Sequence, residues 1–386
     1  MFMSARLGPD LLTRLCACMK ENRPIVFMIN VLRIGGAERL VIDDINELLA
    51  RGINVKLITF LSEKEGKTLA GALRIERDSW IQFPCTSVYD VRGYWRIISC
   101  LRQWKPTALI THLWFANTVG RIAGVFAGVR TVIVFEHNVY DDVKTKKQFF
   151  VDRCLQHVTS KIVAVSEAVH ASLVCHGISS SKILVLHNAS AQTSSGGLSK
   201  TEARIALSLR PDEFYYMYLG RLVPQKGVDL LLEAFSACPH GTLLIVGGGP
   251  EREALQKQSV SLGSRVVFLG MRTDVETCLR AADCFVLPSR YEGFGITILE
   301  AFANGLPVIA SSVDGIKEIV QHGVNGWLVS PQDVAGLTHA LQLLYQDADL
   351  RDRLSAQGLK DVERFGIHRH VDALLELISD PCARKK

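Results

Sequence analysis

Ser289-Arg290-Tyr291-Glu292-Gly293-Phe294-Gly295-Ile296-Thr297-Ile298-Leu299-Glu300-Ala301 is the stretch that decides the fold. Two carboxylates, Glu292 and Glu300, stand eight residues apart, and Gly-Phe-Gly between them opens a helix. Asn304-Gly305 is a helix stop signal, and Pro307-Val308-Ile309-Ala310 then reads as a strand. Ile298, Leu299 and Phe302 are expected to face a core. Glu300 interrupts that otherwise apolar helix, so its charge needs a partner or a ligand. Glu292 falls in the loop just before it. The helix N-terminus between the two acids has backbone N–H groups that suit a phosphate. The stretch can therefore hold hydroxyls at two places and an anion between them. A nucleotide-sugar has that layout: ribose, diphosphate, sugar.

Outward from this segment, strand and helix signals alternate in both directions. Ile25-Val26-Phe27-Met28-Ile29-Asn30-Val31-Leu32 is a buried-strand run, broken by Gly35-Gly36-Ala37-Glu38. Helical periodicity follows from Arg39 to Leu49, and Val55 to Phe60 is the next strand. Ala108 to Thr111, Thr131 to Phe135 and Lys161 to Val165 read as strands, with a helix from Ala116 to Ala127. The composition turns small and polar at Ala189-Ser190-Ala191-Gln192-Thr193-Ser194-Ser195-Gly196-Gly197, the best linker candidate. A second series follows: Tyr215 to Leu219, Thr242 to Val246, Val266 to Leu269 and Cys284 to Leu287, each ending in residues that allow close backbone approach. Such alternation argues for parallel sheets wrapped by helices, with ligands beyond the carboxyl ends of the strands.

The 386 residues suggest two or three domains, and 48% apolar with 22% charged residues is a globular composition. No apolar run is long enough to span a bilayer. Met1 to Pro24 does not read as a signal peptide, since Asp10, Arg14, Lys20 and Glu21 interrupt it. The ten cysteines lack metal-ligand spacing, with Cys16 and Cys18 the one close pair, and this points to a reducing cytosol. The net charge of +5 is uneven. Residues 1–190 hold 24 Lys and Arg against 16 Asp and Glu, net +8, and the rest is net −3. A basic first half fits an anionic membrane surface or a phosphate-bearing acceptor. Leu11, Leu12, Leu15 and Met19, with Arg14, Lys20 and Arg23 nearby, form a candidate amphipathic stretch for an inner membrane face. No nucleic-acid-binding motif is present.

The Glu292–Glu300 segment, with Ala301 after it and Gly305-Leu306-Pro307-Val308 following, resembles the Glu-x7-Glu signature of retaining glycosyltransferase family 4. The resemblance runs over nearly the whole chain after about residue 25. It implies an α/β GT-B fold: two Rossmann-like domains with parallel sheets facing across a cleft. The domains expected are residues 1–190, on the acceptor side, and 191–364, binding the nucleotide-sugar. A C-terminal helix within 365–386 is expected to pack back on the first domain. Gly220-Arg221-Leu222-Val223-Pro224-Gln225-Lys226-Gly227 resembles the family's phosphate-clamping segment, where two cations neutralise charge developing on the leaving group. Gly247-Gly248-Gly249-Pro250 matches a loop that shapes the nucleotide pocket. Arg272 stands where the family often meets the base. Phe294, Gly295 and Ile296 complete the donor loop, and Gly35 and Gly36 allow backbone approach to donor phosphates or acceptor. His137, in Glu136-His137-Asn138, matches a family histidine near the donor sugar, and His112 is a weaker candidate for sugar or acceptor.

The resemblance implies transfer of a hexosyl or N-acetylhexosaminyl group from a UDP- or GDP-linked donor to a glycan or polyprenyl-linked acceptor, with retention. Glu292 and His137 would be catalytic, Arg221 and Lys226 would hold the diphosphate, and Glu300 would hold the ribose. A nucleotide-sugar epimerase and a catalytically inactive subunit are the alternatives. No cofactor or metal is expected: Asp347-Ala348-Asp349 lies in a polar stretch and reads as solvated surface. Two departures from the family pattern stand out. Asn188-Ala189-Ser190-Ala191 replaces Asn-Gly-Val-Asp, and Asp314-Gly315-Ile316-Lys317-Glu318 replaces Gly-Gly-x-x-Glu. Alanine does not take glycine's φ cheaply, so the hinge is expected to differ.

Overall fold

Apolar runs flanked by glycine-containing turns become two parallel sheets in the computed structural model, which describes residues 23–60, 68–84, 87–139, 144–190 and 197–379. The chain divides into two units, with boundaries between Asn188 and Ala189 and again between Gly366 and Ile367. The candidate amphipathic stretch from Leu11 to Lys20, the pair Cys16 and Cys18, and most of the linker (Ala191 to Gly196) lie outside the described residues.

The first unit has β1 (Ile25–Ile29), β2 (Val55–Thr59), β3 (Trp80–Gln82), β4 (Ala108–His112), β5 (Val132–Glu136), β6 (Lys161–Ala164) and β7 (Ile183–Val185). Their order is β3-β2-β1-β4-β5-β6-β7, all parallel. β1, β4 and β5 are buried at every position, which explains why they read as continuous apolar runs. The helix after β1 starts at Gly36 and the one after β4 at Trp114, both ahead of the sequence reading. In the second case Asn30 supplies the cap: its Oδ1 accepts from the Ala116 backbone N–H at 3.1 Å.

Helix Ile367–Ser379 belongs to this first unit. It buries Ile367, Val371, Leu374 and Ile378, one apolar stripe, and packs on helix Gly36–Ala50. Arg51 anchors it, donating to Asp372 Oδ1 at 2.5 Å and to the His368 carbonyl at 3.0 Å.

The second unit has β8 (Tyr215–Leu219), β9 (Thr242–Val246), β10 (Val266–Gly270), β11 (Cys284–Leu287), β12 (Val308–Ser311) and β13 (Trp327–Val329), in the order β10-β9-β8-β11-β12-β13. Its core includes Ile298, Leu299 and Phe302, each fully buried. Ala189 is buried and does not adopt a positive φ, so the departure from glycine there carries no strain. The chain leaves it through Ser190, whose N–H donates to the Phe365 carbonyl at 3.1 Å.

Each sheet is wound in two directions from its centre. In the first the chain runs outward through β1, β2 and β3, then returns to start again at β4. In the second it runs through β8, β9 and β10, then returns to β11. The two switch points lie between β1 and β4 and between β8 and β11. Loops diverge there at the carboxyl ends, and open α/β sheets bind ligands at such points.

Candidate active site

The β8–β11 switch point gathers the second unit's charged candidates. Lys226 ends a short turn, Pro224–Lys226, after β8, and Glu292 stands in the loop after β11. Lys226 Nζ forms an ion pair with Glu292 Oε2, which also accepts from Ser289 Oγ at 3.4 Å. Both side chains are largely buried, 15% exposed for Lys226 and 9% for Glu292, so water screens the pair little.

Several contacts clamp the two loops together. Arg290 forms a two-pronged pair with Asp229, at 2.8 and 2.6 Å, and donates to the Pro224 carbonyl at 2.7 Å. Gln225 Nε2 donates to the Tyr291 carbonyl at 3.1 Å, and the Arg290 N–H donates to the Gln225 carbonyl at 2.8 Å. The Glu292 loop is also held from behind. A Cβ on Gly315 would collide with the carbonyls of Glu292 and Gly293, so the glycine kept in the altered Asp314-Gly315 motif is the one that closeness requires.

Arg221 is exposed, and its guanidinium has no ion-pair partner among the described residues. Its backbone is fixed: Tyr218 Oη donates to the Arg221 carbonyl at 2.8 Å, and the Leu222 N–H donates to the Gly248 carbonyl at 2.9 Å. The glycine triplet thus buttresses the loop that carries Arg221. Gly295, with φ of 104°, stands at the N-cap of helix Ile296–Ala303 and has no side chain with which to cap it. Phe294 is buried and meets the Phe365 ring edge-on at 5.6 Å, which fixes the loop from inside. Glu300 lies part-exposed on the same helix. A helix N-terminus, a lysine and an arginine cation, and a carboxylate suit a diphosphate beside a group that gains positive charge.

The β1–β4 switch point holds the first unit's candidates. Gly35 is extended, with φ of −168°, so a left-handed turn does not explain it, and Gly36 is exposed at the helix start. His112 ends β4 and His137 follows β5. His112 Nδ1 and His137 Nε2 are 3.0 Å apart. The His112 ring is fully buried, stacked on Phe135 at 4.6 Å and on His137 at 5.3 Å. Burial, with the neighbouring imidazoles adding to it, drives the pKa of His112 well below its ordinary value and that of His137 down to about 3. His370 shifts the other way. Burial would lower it, but the Asp44 carboxylate, 3.4 Å from Nε2, and the His187 carbonyl raise it.

These sites sit in a chain whose two halves match two family models. Residues 34–189 match Glycosyltransferase Family 4, and residues 199–361 match Glycosyl transferases group 1. This chain is a group 1 glycosyltransferase with the GT-B fold. It is 28% identical to the lipopolysaccharide core biosynthesis glycosyltransferase LpsE of Rhizobium meliloti, over 89% of this chain and 96% of that protein. It is 27% identical to the UDP-Gal:alpha-D-GlcNAc-diphosphoundecaprenol alpha-1,3-galactosyltransferase of Escherichia coli, over 77% and 81% of the two chains. In structure it resembles HepE of Anabaena, solved with UDP and glucose, with a TM-score of 0.82 at 23% identity, over 92% and 99% of the two chains.

The glycosyltransferase also holds a buried charge network that the sequence reading does not reach. Lys144 Nζ donates to both Glu136 oxygens at 3.0 Å and to Asp152 Oδ2 at 2.9 Å. Arg121 pairs with the other Asp152 oxygen, and Asn117 Nδ2 donates to the Phe135 carbonyl at 3.0 Å. Two cations thus balance two carboxylates at the end of β5 and hold the residue before His137. The available signal was Arg121, a charge inside an apolar helix, the same anomaly that singles out Glu300. Arg272, by contrast, is engaged two-pronged with Asp274, at 2.9 and 2.6 Å, after β10. β10 is separated from β8 by β9, so Arg272 does not join the Lys226–Glu292 group. Asp347 caps helix Ala348–Asp361, accepting from the Leu350 N–H at 2.8 Å. Among the described residues no group of three or more His, Cys, Asp or Glu is placed to hold a metal ion.

The lowered histidines set a pH dependence of stability. An unfolded chain protonates them below about pH 6.5, while the folded unit keeps His137 neutral down to about 3. Stability is therefore full above that pH and is lost on acidification, by up to about 1.4 kcal/mol per pH unit for each ring. His370 acts oppositely: its contribution is present at lower pH and fades as pH rises through its raised pKa. Urea midpoints of wild type and His112→Asn between pH 5 and 7 test this, and the variant is expected to show the shallower acid slope. Equal slopes would count against a neutral buried pair.

Proposed function

We propose that this enzyme transfers a sugar from a nucleoside-diphosphate sugar, UDP-linked, to a hydroxyl of a lipid-linked glycan in lipopolysaccharide or polysaccharide assembly, with retention at the anomeric carbon. The observation that carries this reading is the Lys226–Glu292 ion pair beside Arg221 at the second sheet's switch point. Arg221 and Lys226 bind the diphosphate and neutralise it as it leaves. Glu292 holds sugar hydroxyls and steadies the positive charge developing at the anomeric carbon. Glu300 accepts from ribose hydroxyls, Arg272 lies toward the base, Gly35 and Gly36 let the backbone approach the ligand, and His137 orients the sugar. The bond from the anomeric carbon to phosphate oxygen breaks, the acceptor oxygen bonds from the same face, and the departing phosphate takes the acceptor's proton. The named activities of the Rhizobium and E. coli relatives support a lipid-borne glycan acceptor, and UDP in the E. coli name and the Anabaena complex supports that donor.

Two cations already serve the diphosphate, so turnover is expected without a divalent metal. The experiment screens UDP-sugars for UDP release, with mass analysis of an acceptor-lipid extract, in excess chelator. A sugar-sized mass shift in chelator supports the reading. Activity lost to chelator and restored by Mg²⁺ or Mn²⁺ would show the clamp assignment wrong.

Peripheral attachment to an anionic membrane surface accompanies this proposal. Among the described residues no helix is long and apolar enough to cross a membrane. Helix Val91–Trp104 presents an outward face on which Trp95 is 64% exposed and Val91 65%, with Arg92 and Arg96 exposed beside them. Aromatic and arginine side chains together suit an anionic lipid interface. Sedimentation with anionic vesicles is expected at low salt, reduced by high salt and by Trp95→Ser. Binding indifferent to lipid charge and salt would remove the idea.

A further inference from the structure

Helix Ile367–Ser379 carries a polar pair inside its apolar contact with helix Gly36–Ala50: His370 and Asp44, both buried. Neither Asp44 oxygen has a hydrogen-bond partner among the described residues, and His370 Nε2 stands 3.4 Å from Oδ1. His370 Nδ1 is 2.9 Å from the His187 carbonyl. A carbonyl only accepts, so Nδ1 carries a proton. Nε2 then either carries a second proton or points a lone pair at Asp44. A bare carboxylate buried against a lone pair has neither donor nor cation, which is prohibitively costly. One proton therefore lies between Asp44 and His370. On Nε2 it makes an ion pair and on the carboxyl a neutral pair; the proton count and the zero net charge are the same.

The pair sits where the chain passes between its two units. His370 lies in the first turn of the segment that returns at Ile367, and His187 lies just before the chain leaves after Asn188. One side chain thus ties both passages to the first unit. We propose that the proton shared by Asp44 and His370 is a latch: it holds helix Ile367–Ser379 and the His187 backbone together on the first unit, and its loss on alkalinisation releases them. Between about pH 4 and 6.5 an undocked His370 is protonated and Asp44 ionised, the proton count of the docked pair, so docking is at full strength. At higher pH the undocked ring loses its proton while the docked pair keeps it. Docking then weakens by up to about tenfold per pH unit, until the pair itself deprotonates. The raised pKa of His370 agrees: burial would lower it, but the Asp44 carboxylate and the His187 carbonyl outweigh burial. The neighbouring groups do not duplicate this effect. His112 and His137 stay neutral throughout the range. Asp43 pairs with Arg39, and Glu47 and Asp372 pair with Arg51. The imidazoles of His187 and His368 are left in place in the Asp44→Asn control, so any contribution of theirs cancels.

Hydrogen exchange over the helix, corrected for intrinsic amide rates and compared with β1 of the same unit, tests this between about pH 6 and 8.5. Wild-type protection of the helix is expected to fall by up to about tenfold per pH unit above about 6.5, with β1 unchanged. Asp44→Asn can offer its amide N–H to a neutral Nε2, so its protection is expected to stay level. Parallel profiles in the two proteins overturn the proposal. So does a fall that β1 shares, because the whole unit would then be opening. The ring itself gives the second readout. In histidine-labelled enzyme, with His370→Asn assigning the signal, the His370 nitrogens are expected to titrate above about pH 6.5 in wild type and below it in Asp44→Asn. A wild-type ring that titrates at or below that pH overturns the shared proton.

Discussion

Replacing Glu292 by glutamine is expected to lower kcat by roughly a hundredfold or more, the scale of losing one preorganised electrostatic contact. The change removes charge and keeps shape. The amide oxygen of the new side chain can still accept from Lys226, and the two loops stay latched through Arg290, Asp229 and Gln225. What is lost is the negative charge beside a sugar carbon that becomes positive during transfer. That charge matters more in the transition state than in the ground state, so the loss belongs to kcat, and nucleotide affinity is expected to stay near wild type. Glu300→Gln is the contrast. Glu300 is assigned to ribose, which does not react, so its loss weakens donor and free nucleotide about equally and raises KM, with a smaller effect on kcat. Steady-state kinetics of both variants, beside calorimetric titration of UDP, decide the matter. If Glu292→Gln loses UDP binding while saturated turnover survives, the two roles are reversed. If both variants match wild type, the pair is structural.

The fold is readable in the sequence because its strands are buried on both faces. Val26 to Ile29, Leu109 to His112 and Val132 to Glu136 are continuously buried, and such strands announce themselves as apolar runs with glycine or polar residues at the end. Helix Ile296–Ala303 is readable for a related reason: Glu300 is a charge on an apolar helix. Pairings between distant segments are not readable. Lys226 and Glu292 are 66 residues apart and meet because β8 and β11 are neighbours, although β9 and β10 intervene in the chain. His112 and His137 meet across β4 and β5, where local sequence gives the strands but not the imidazole contact. The sequence offers His112 as a weaker candidate for a ligand contact, and the structure shows its ring fully buried. The sequence places the helix starts two to three residues late at Gly36 and Trp114, because glycine and a side-chain cap from Asn30, far away in the chain, open them.

Lys226→Ala is expected to lose both nucleotide affinity and stability, and the double variant with Glu292→Ala separates the two losses. The Lys226 ammonium is paired with Glu292. Lysine has three N–H donors, so it can bond the carboxylate and a phosphate oxygen together, and the diphosphate need not break the pair. Removing Lys226 deletes a charge-assisted bond worth about 1.5–3 kcal/mol to the nucleotide, which is a roughly ten- to hundredfold weaker affinity for UDP. It also leaves the Glu292 carboxylate, 9% exposed, without its cation. Breaking a buried pair from one side costs about 3–5 kcal/mol, and the partial exposure of this one places it toward or below the lower end. Glu292→Ala strands the ammonium in the same way. The double variant removes both charges and is expected to regain about 1–3 kcal/mol relative to the sum of the singles, as contacting residues do. It regains no UDP affinity, because the cation is still absent. Urea unfolding of the four proteins measures the coupling, and UDP titration measures the clamp. Additive destabilisation would mean the pair is not held in solution, and wild-type UDP affinity in Lys226→Ala would move the diphosphate elsewhere, leaving Arg221 as the cation to test next.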